Sequence, residues 1–320
     1  MPRSNEAPRL QCARGVVGPY PHAQVAPADG RGPAWRGPWP IARTIDGRIV
    51  IKIPKPQHAL VQNQLLAALP QADYQRWAPH LESVELRAGQ VLHEPGGTAA
   101  FVYFPSSAVI SLTSMTLDGA SVELAMVGAE GMAGVAVWMG SSTMFSQAAV
   151  QSAGHAYRLR AVALRGELQP SGAVLTLLLQ YTQALMAQVA QTALCNRYHS
   201  IDQQLSKRLL QGLDRSPANE LSMTQECVAN LLGVRREGVT AAALKLQHAG
   251  VIRYQRGHIV VLDRDRLERC ACECYASAKR EHQRLLPSWP MRNPPSGVPL
   301  PYPRPVPPAR PWHAGFALAT

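Results

Sequence analysis

Two stretches hold side chains whose types and spacing could do chemistry. In "LLGVRREGVTAAALKLQHAGVI", Leu231 to Ile252, the run Arg235-Arg236-Glu237 opens a helical pattern. A guanidinium is a planar fork of donors and a carboxylate only accepts, so this run is equipped for directional hydrogen bonding. In "CACEC", Cys270, Cys272 and Cys274 offer thiolates suited to zinc or an iron-sulfur cluster. A closed site needs four ligands, and on one helix Cys270 and Cys274 share a face while Cys272 points away. Buried thiols are therefore the expectation, with a metal or redox role as the alternative. His93, His155 and His199 each stand alone in apolar surroundings and read as core or boundary histidines, without a haem or metal role. No Ser-His-Asp pattern, phosphate-binding glycine loop or carboxylate pair stands out, so no enzyme is expected.

The elements around the Arg-Arg-Glu run explain its position. "MTQECVANLLGVRREGVTAAALKLQHAG" contains two helical patterns joined by Leu232-Gly233-Val234. Thr224 can cap the first, whose apolar face is Val228, Leu231 and Leu232, with Ala229 small enough for a close approach. The second buries Val239, Ala242, Ala243 and Leu246 and leaves Arg236, Glu237, Thr240 and Ala241 on its outer surface; Leu244 fits neither set. Two short helices about a glycine turn make a helix-turn-helix, whose second helix offers its first residues to the DNA major groove. "GVIRYQRGHIVVLD" follows as two strands about Arg256-Gly257, a wing.

In that arrangement Arg236 can donate two hydrogen bonds to guanine O6 and N7, and Glu237 can accept from the N4 amino group of cytosine. Thr240 completes the expected base-reading set. Thr224, Arg235, Lys245, Arg253 and Arg256 are the expected phosphate contacts, which set register and affinity without reading sequence.

Upstream, short alternating runs between about 64 and 162 predict an antiparallel β domain, with Asp118-Gly119 as a hairpin turn. From about Gly172, Leu175, Leu178, Leu179, Leu185, Met186, Val189 and Ala193 recur at helical spacing. That apolar face is wide enough to want both the β domain and a second copy of itself as partners. Of the formal charge of +11, residues 1–56 supply +6, 57–199 carry −2, and 200–269 carry +3. The excess suits a polyanionic partner but lies mostly in an arm whose Pro-, Gly- and Arg-rich composition predicts disorder. Outside 173–195 no apolar run is long enough to span a bilayer, and no signal-peptide pattern opens the chain, so a cytoplasmic protein without a membrane partner is expected.

These residues resemble the Crp/Fnr superfamily of bacterial transcription regulators over about residues 60 to 286, most closely from Cys195 to Leu267. The resemblance implies an α+β fold: an antiparallel β-roll of the cyclic-nucleotide-binding type, a long dimerisation helix and a C-terminal winged helix-turn-helix. The expected segments are a disordered arm (1–57), the roll (58–170), the dimer helix (171–198), the winged helix-turn-helix (199–270), a C-terminal helix (271–286) and a disordered proline-rich tail (287–320). The implied function is sequence-specific binding of an inverted-repeat operator by a homodimer, with RNA polymerase as a further partner if the protein activates. The alternative is a metal- or redox-sensing regulator using Cys270, Cys272 and Cys274.

The departures from the family pattern are informative. Arg235 replaces the usual serine cap, and Ala241 stands where some members place another base-reading arginine. Cyclic-nucleotide binders use a glycine-glutamate pair on the ribose and an arginine-serine pair on the phosphate; the matching stretches here read Gly134-Val135 and Ser146-Gln147. The stretch from Val127 to Gln151 has no lysine or arginine, and burying an anion without a cation is costly, so cAMP is not expected and no cofactor is assigned. Glu130 is the one weak candidate for contacting a different effector. Such an effector would act about the junction from Tyr198 to Ile201.

Overall fold

The computed structural model describes residues 62–286 apart from 142, 169–171 and 217–218, together with a two-residue antiparallel pair, β1 (Thr44–Ile45) and β2 (Arg48–Ile49). Beyond that pair, the expected arm and the expected tail lie outside the described residues.

Two short helices, α1 (Gln64–Ala67) and α2 (Gln71–Trp77), lead into the β domain. Strands β3 (Glu82–Leu86), β4 (Val91–His93), β5 (Phe101–Pro105), β6 (Val109–Met115), β7 (Ser121–Val127), β8 (Gln147–Ser152) and β9 (Gly154–Arg160) form two antiparallel sheets, ordered β3-β9-β5 and β4-β8-β6-β7. The β6–β7 hairpin pairs Met115 with Ser121 and turns through Gly119, whose φ of 88° a side chain would resist. Ile110, Leu112, Ala125, Val127, Ala148 and Val150 point into the roll core with Trp77, Phe104 and Leu159. Strand β6 is nonetheless buried along most of its length, polar Ser111 and Thr113 included, because its other face is covered too.

After α3 (Ala161–Leu168) comes α4 (Gly172–Tyr198), whose 27 residues span about 40 Å. Val174, Leu178, Tyr181, Ala184 and Leu185 pack into the roll core, and the Tyr181 hydroxyl donates to the Met132 carbonyl at 2.8 Å. By length and composition α4 could cross a membrane, but this face is occupied by protein. Leu175, Leu179, Met186 and Leu194 remain exposed, Met186 by 66%.

Helix α5 (Ile201–Arg215) begins at a capping box, in which Ser200 accepts from the Gln203 N–H and the Gln203 side chain accepts from the Ser200 N–H. Its buried Arg208 reaches Glu123 and Met126 on β7 and Gln151 on β8 of the four-stranded sheet. Strand β10 (Glu220–Ser222), α6 (Gln225–Leu232), α7 (Arg236–His248), β11 (Ile252–Gln255), β12 (His258–Val261) and α8 (Arg264–Cys270) complete the helix-turn-helix unit, with wing order β10-β12-β11. The wing thus has a third strand that the two-strand sequence pattern did not reveal. Helix α9 (Glu273–Leu285) returns along α4, and Leu285 and Leu286 enter the roll core.

Two buried ion pairs fasten α5 to the roll. Arg208 lies 2.6 Å from Glu123 on β7 and donates to Gln151 at 2.6 Å; Arg215 meets Glu130 at 2.5 Å. Glu130 also accepts from the Gly128 N–H at 3.0 Å and is only 7% exposed. Its carboxylate is thus paired within a joint between the roll and α5.

Candidate nucleic-acid interface

The helix-turn-helix is built from a small apolar core. Val228, Ala229 and Leu232 of α6 meet Val239, Ala242, Ala243 and Leu246 of α7 over Leu205 and Leu209 of α5. Gly233 ends α6 with a φ of 67°, and its N–H and that of Val234 reach back to the Ala229 carbonyl. Leu231 departs from the expected face. It is half-buried and lines a cleft of about 170 Å³ between the roll and α6, with Ser111, Thr113, Gln147, Cys227 and Asn230. The cause is the roll itself, which covers the side of α6 that faces away from α7.

Thr224 caps α6 by accepting from the Cys227 N–H at 3.1 Å, which leaves its hydroxyl proton free to donate outward. Arg235 is the N-cap of α7 and supplies no side-chain cap bond, so its guanidinium is not spent on the helix end. Arg236 and Glu237 are exposed in the first turn, where Glu237 also offsets the positive helix end. Ala241 and Leu244 are exposed further along.

The Thr240 hydroxyl donates inward, with the Gln225 amide oxygen at 2.7 Å and the Arg236 carbonyl at 3.0 Å as its acceptors. Lys245 sits in the last turn of α7 and is paired with Asp202 of α5 at 2.8 Å. The nearness of the α5 start is confirmed at Gly238, where a Cβ would come within 2.6 Å of Ile201.

The wing is anchored beside this helix start. The Met223 N–H donates to the Gly257 carbonyl at 2.7 Å, and the half-buried Tyr254 hydroxyl, its pKa raised to about 12 by desolvation, donates to the Met223 carbonyl at 2.8 Å. At the tip Arg256 and Gly257 have φ of 48° and 84°, as a tight two-residue hairpin turn requires. Arg253 and Arg256 are exposed. Among the described residues Arg235, Arg236, Arg253 and Arg256 have no carboxylate within ion-pairing distance. Two uncompensated guanidinium groups at the exposed start of α7 and two on the wing suit a polyanion.

The sequence model of the Crp-like helix-turn-helix domain matches residues 203–270. These residues are a Crp-like helix-turn-helix domain. Over the described residues the fold is that of Crp/Fnr regulators, as solved structures show. A transcriptional regulator of the Crp/Fnr family from Eubacterium rectale is 20% identical, with a TM-score of 0.52 over 65% of this chain and 98% of its own. FixK2 from Bradyrhizobium japonicum is 16% identical, with a TM-score of 0.52 over 60% and 98%. The c-di-GMP-responsive regulator CLP from Xanthomonas campestris is 16% identical, with a TM-score of 0.50 over 60% and 99%. No curated protein matches.

Within the roll, the stretches aligned with nucleotide-binding pairs are placed as follows. Gly134 has a φ of 101° and lies close to His93 and Val102; Val135 and Met144 are buried in the roll core with Met132. Ser146 is buried, and the Gln147 amide donates to Glu94 at 3.0 Å. His93 is 6% exposed, held 2.8 Å from the Phe101 carbonyl, and burial lowers its pKa below the usual imidazole value.

The cysteine reading needs correction. Cys270 closes α8 and packs against the helix-turn-helix core, whereas Cys272 and Cys274 lie beside Cys195 and His199 at the far end of α4. The chain from Cys270 to Cys274 is not one helix. Ala271 and Cys272 are extended between α8 and α9, which brings Cys272 and Cys274 round to the same place. The hydrogen bond between the two sulfurs lowers the pKa of Cys272 and raises that of Cys195, with burial raising both. His199 is likewise no isolated boundary histidine, and His155 is exposed on β9.

Proposed function

We propose that the chain is a transcription regulator that binds an inverted-repeat operator as a homodimer. The observation that carries this reading is the exposed start of α7, where Arg235, Arg236 and Glu237 have no ion pair among the described residues, together with exposed Arg253 and Arg256 on the wing. Arg236 and Glu237 read bases. Arg235, Arg253 and Arg256 hold phosphates, and Thr224 adds a hydroxyl donor. Thr240 and Lys245 have lesser parts than their spacing implied, since one donates inward and the other is paired with Asp202.

The exposed stripe Leu175, Leu179 and Met186 on α4 supports pairing with a second α4 about a two-fold axis. Two α7 helices so related would enter successive major grooves about 34 Å apart. The protein acts in the cytoplasm, touches RNA polymerase if it activates, and has no catalytic role.

Selection of bound sequences from random duplexes, with purified full-length protein at physiological salt, tests this directly. The expected result is an enriched palindrome; enrichment of a single half-site would remove the homodimer, and no enrichment would remove the specific reader.

cAMP is not the effector in this reading. The apolar packing of Met132, Val135 and Met144, and the absence of a cation from Val127 to Gln151, support this. Calorimetric titration of cAMP into the protein is expected to give no binding isotherm; micromolar binding would overturn the expectation.

A further inference from the structure

The strongest cluster of reactive groups outside the nucleic-acid surface lies where α4 ends. Cys195 lies in the last turn of α4, and His199 follows the helix directly, its N–H donating to the Cys195 carbonyl at 3.1 Å. Cys272 and Cys274 come from the α8–α9 turn. Three sulfurs and one imidazole nitrogen all lie within 4.8 Å of one another. The Cys195 and Cys272 sulfurs are 3.5 Å apart, and the Cys274 sulfur is 3.5 Å from His199 Nδ1. We infer that Cys195, His199, Cys272 and Cys274 bind one zinc ion, which clamps the end of α4 to the α8–α9 turn.

The ligand set, its dimensions and its surroundings each support a single ion. A tetrahedral ion with sulfur ligands at about 2.3 Å separates its ligand atoms by about 3.8 Å, so the cluster needs only small adjustments to close. A two-iron cluster would push ligands on opposite irons further apart than this cluster spreads. Four protein ligands complete the coordination and leave no open position, which is the pattern of a structural rather than a catalytic metal.

Burial is nearly complete for the sulfurs, at 1% for Cys195, 5% for Cys272 and 0% for Cys274. His199 Nε2 lies 3.2 Å from the Glu273 carboxylate. That contact orients the ring so that Nδ1 faces the sulfurs, as a carboxylate orients a zinc-bound histidine elsewhere. Gln204 braces the same corner by donating to the His199 carbonyl at 2.9 Å.

Charge points the same way. Three thiolates and a neutral imidazole around a divalent ion carry one net negative charge. Lys207, 5% exposed on α5, has its ammonium 3.3 Å from the Thr192 hydroxyl and no carboxylate within ion-pairing distance among the described residues. Lys207 and Cys195 line the same small cleft between α4 and α5. A buried cation is costly without an anion, and a zinc-thiolate centre with a net charge of minus one is that anion.

Metal analysis of the full-length protein, expressed with zinc in the medium and gel-filtered without chelator, decides the matter. The wild type is expected to hold one zinc per chain and to release it when an organomercurial titrates its thiols. Cys270→Ser, altered outside the cluster, should keep the full zinc content. Cys272→Ser and His199→Ala should lose most of it, and cobalt grown in place of zinc should show the intense visible bands of a tetrahedral thiolate site in the wild type. The wild-type measurements stand even if a variant fails to fold. Zinc-free wild type, a Cys195–Cys272 disulfide in freshly purified protein, a multi-iron chromophore, or equal loss in Cys270→Ser would each overturn the assignment. None of these outcomes depends on DNA binding, so the site and the proposed operator reading stand or fall separately.

Discussion

Arg208→Ala should lower the unfolding free energy by about 3–5 kcal/mol, because it strands a buried carboxylate. Arg208 is 3% exposed on α5 and its guanidinium reaches Glu123, Gln151 and the Met126 sulfur across the joint with the roll. Without it Glu123, itself 7% exposed, keeps among the described residues the Ser111 hydroxyl, which donates to it at 2.5 Å, and the more distant charge of Arg215. One neutral donor and a distant charge do not offset the desolvation of a carboxylate. The pair as a whole is a different matter from either half. Replacing both partners by apolar side chains, Arg208→Met with Glu123→Leu, should recover most of the loss, since attraction within a buried pair only roughly offsets its desolvation. Urea unfolding of the three proteins gives the answer. A single variant within about 1 kcal/mol of wild type would mean that water or a rearranged side chain reaches Glu123, and that the joint between roll and α5 is looser than the geometry indicates.

That joint was invisible in the sequence for a physical reason. The periodicities that reveal a strand or a helix record which face is buried, not what covers it. Asp118-Gly119, Gly233 and Arg256-Gly257 could be placed as turns because each needs a left-handed backbone that few residues tolerate, and all three lie at turns. The α7 face of Val239, Ala242, Ala243 and Leu246 was legible from its spacing and is buried as spaced. Leu231 was misassigned because an apolar residue on α6 has two neighbours to choose from, and the roll lies more than a hundred residues away in the chain. The partners of Glu130 and Glu123 were as hard to read, since their arginines are 85 residues distant.

The cysteines show the limit most clearly. Read along the chain, Cys270, Cys272 and Cys274 lack a fourth ligand and point in different directions on a helix. In space the helix breaks at Ala271, Cys270 drops out, and Cys195 of α4 and His199 just after it join from 77 and 75 residues away. No local spacing rule joins these two halves, because α4 and α9 meet only through the packing of the whole unit.

Arg236→Ala and Arg256→Ala should weaken DNA binding in different ways, and the difference tests how roles are divided over the surface. Arg236 is exposed in the first turn of α7, at the depth where a major-groove helix meets base edges, so its loss should cost about 1–3 kcal/mol of specific affinity and relax discrimination at one base pair. Binding to unrelated duplexes should change far less. Arg256 stands at the tip of the wing, tied to the helix-turn-helix through Gly257 and Met223, and is proposed to hold a phosphate. Its loss should weaken all duplexes alike and flatten the slope of log affinity against log salt by about 0.9, one phosphate contact. Because Arg256 has a φ of 48°, alanine adds backbone strain, so Arg256→Asn, which tolerates that conformation, is the cleaner substitution. Fluorescence titrations of both variants with the selected site and a scrambled duplex, across a range of salt, give both quantities. Equal salt slopes and equal losses on the two duplexes would show that Arg236 contacts phosphate as Arg256 does, and that base reading falls to Glu237 and residues further along α7.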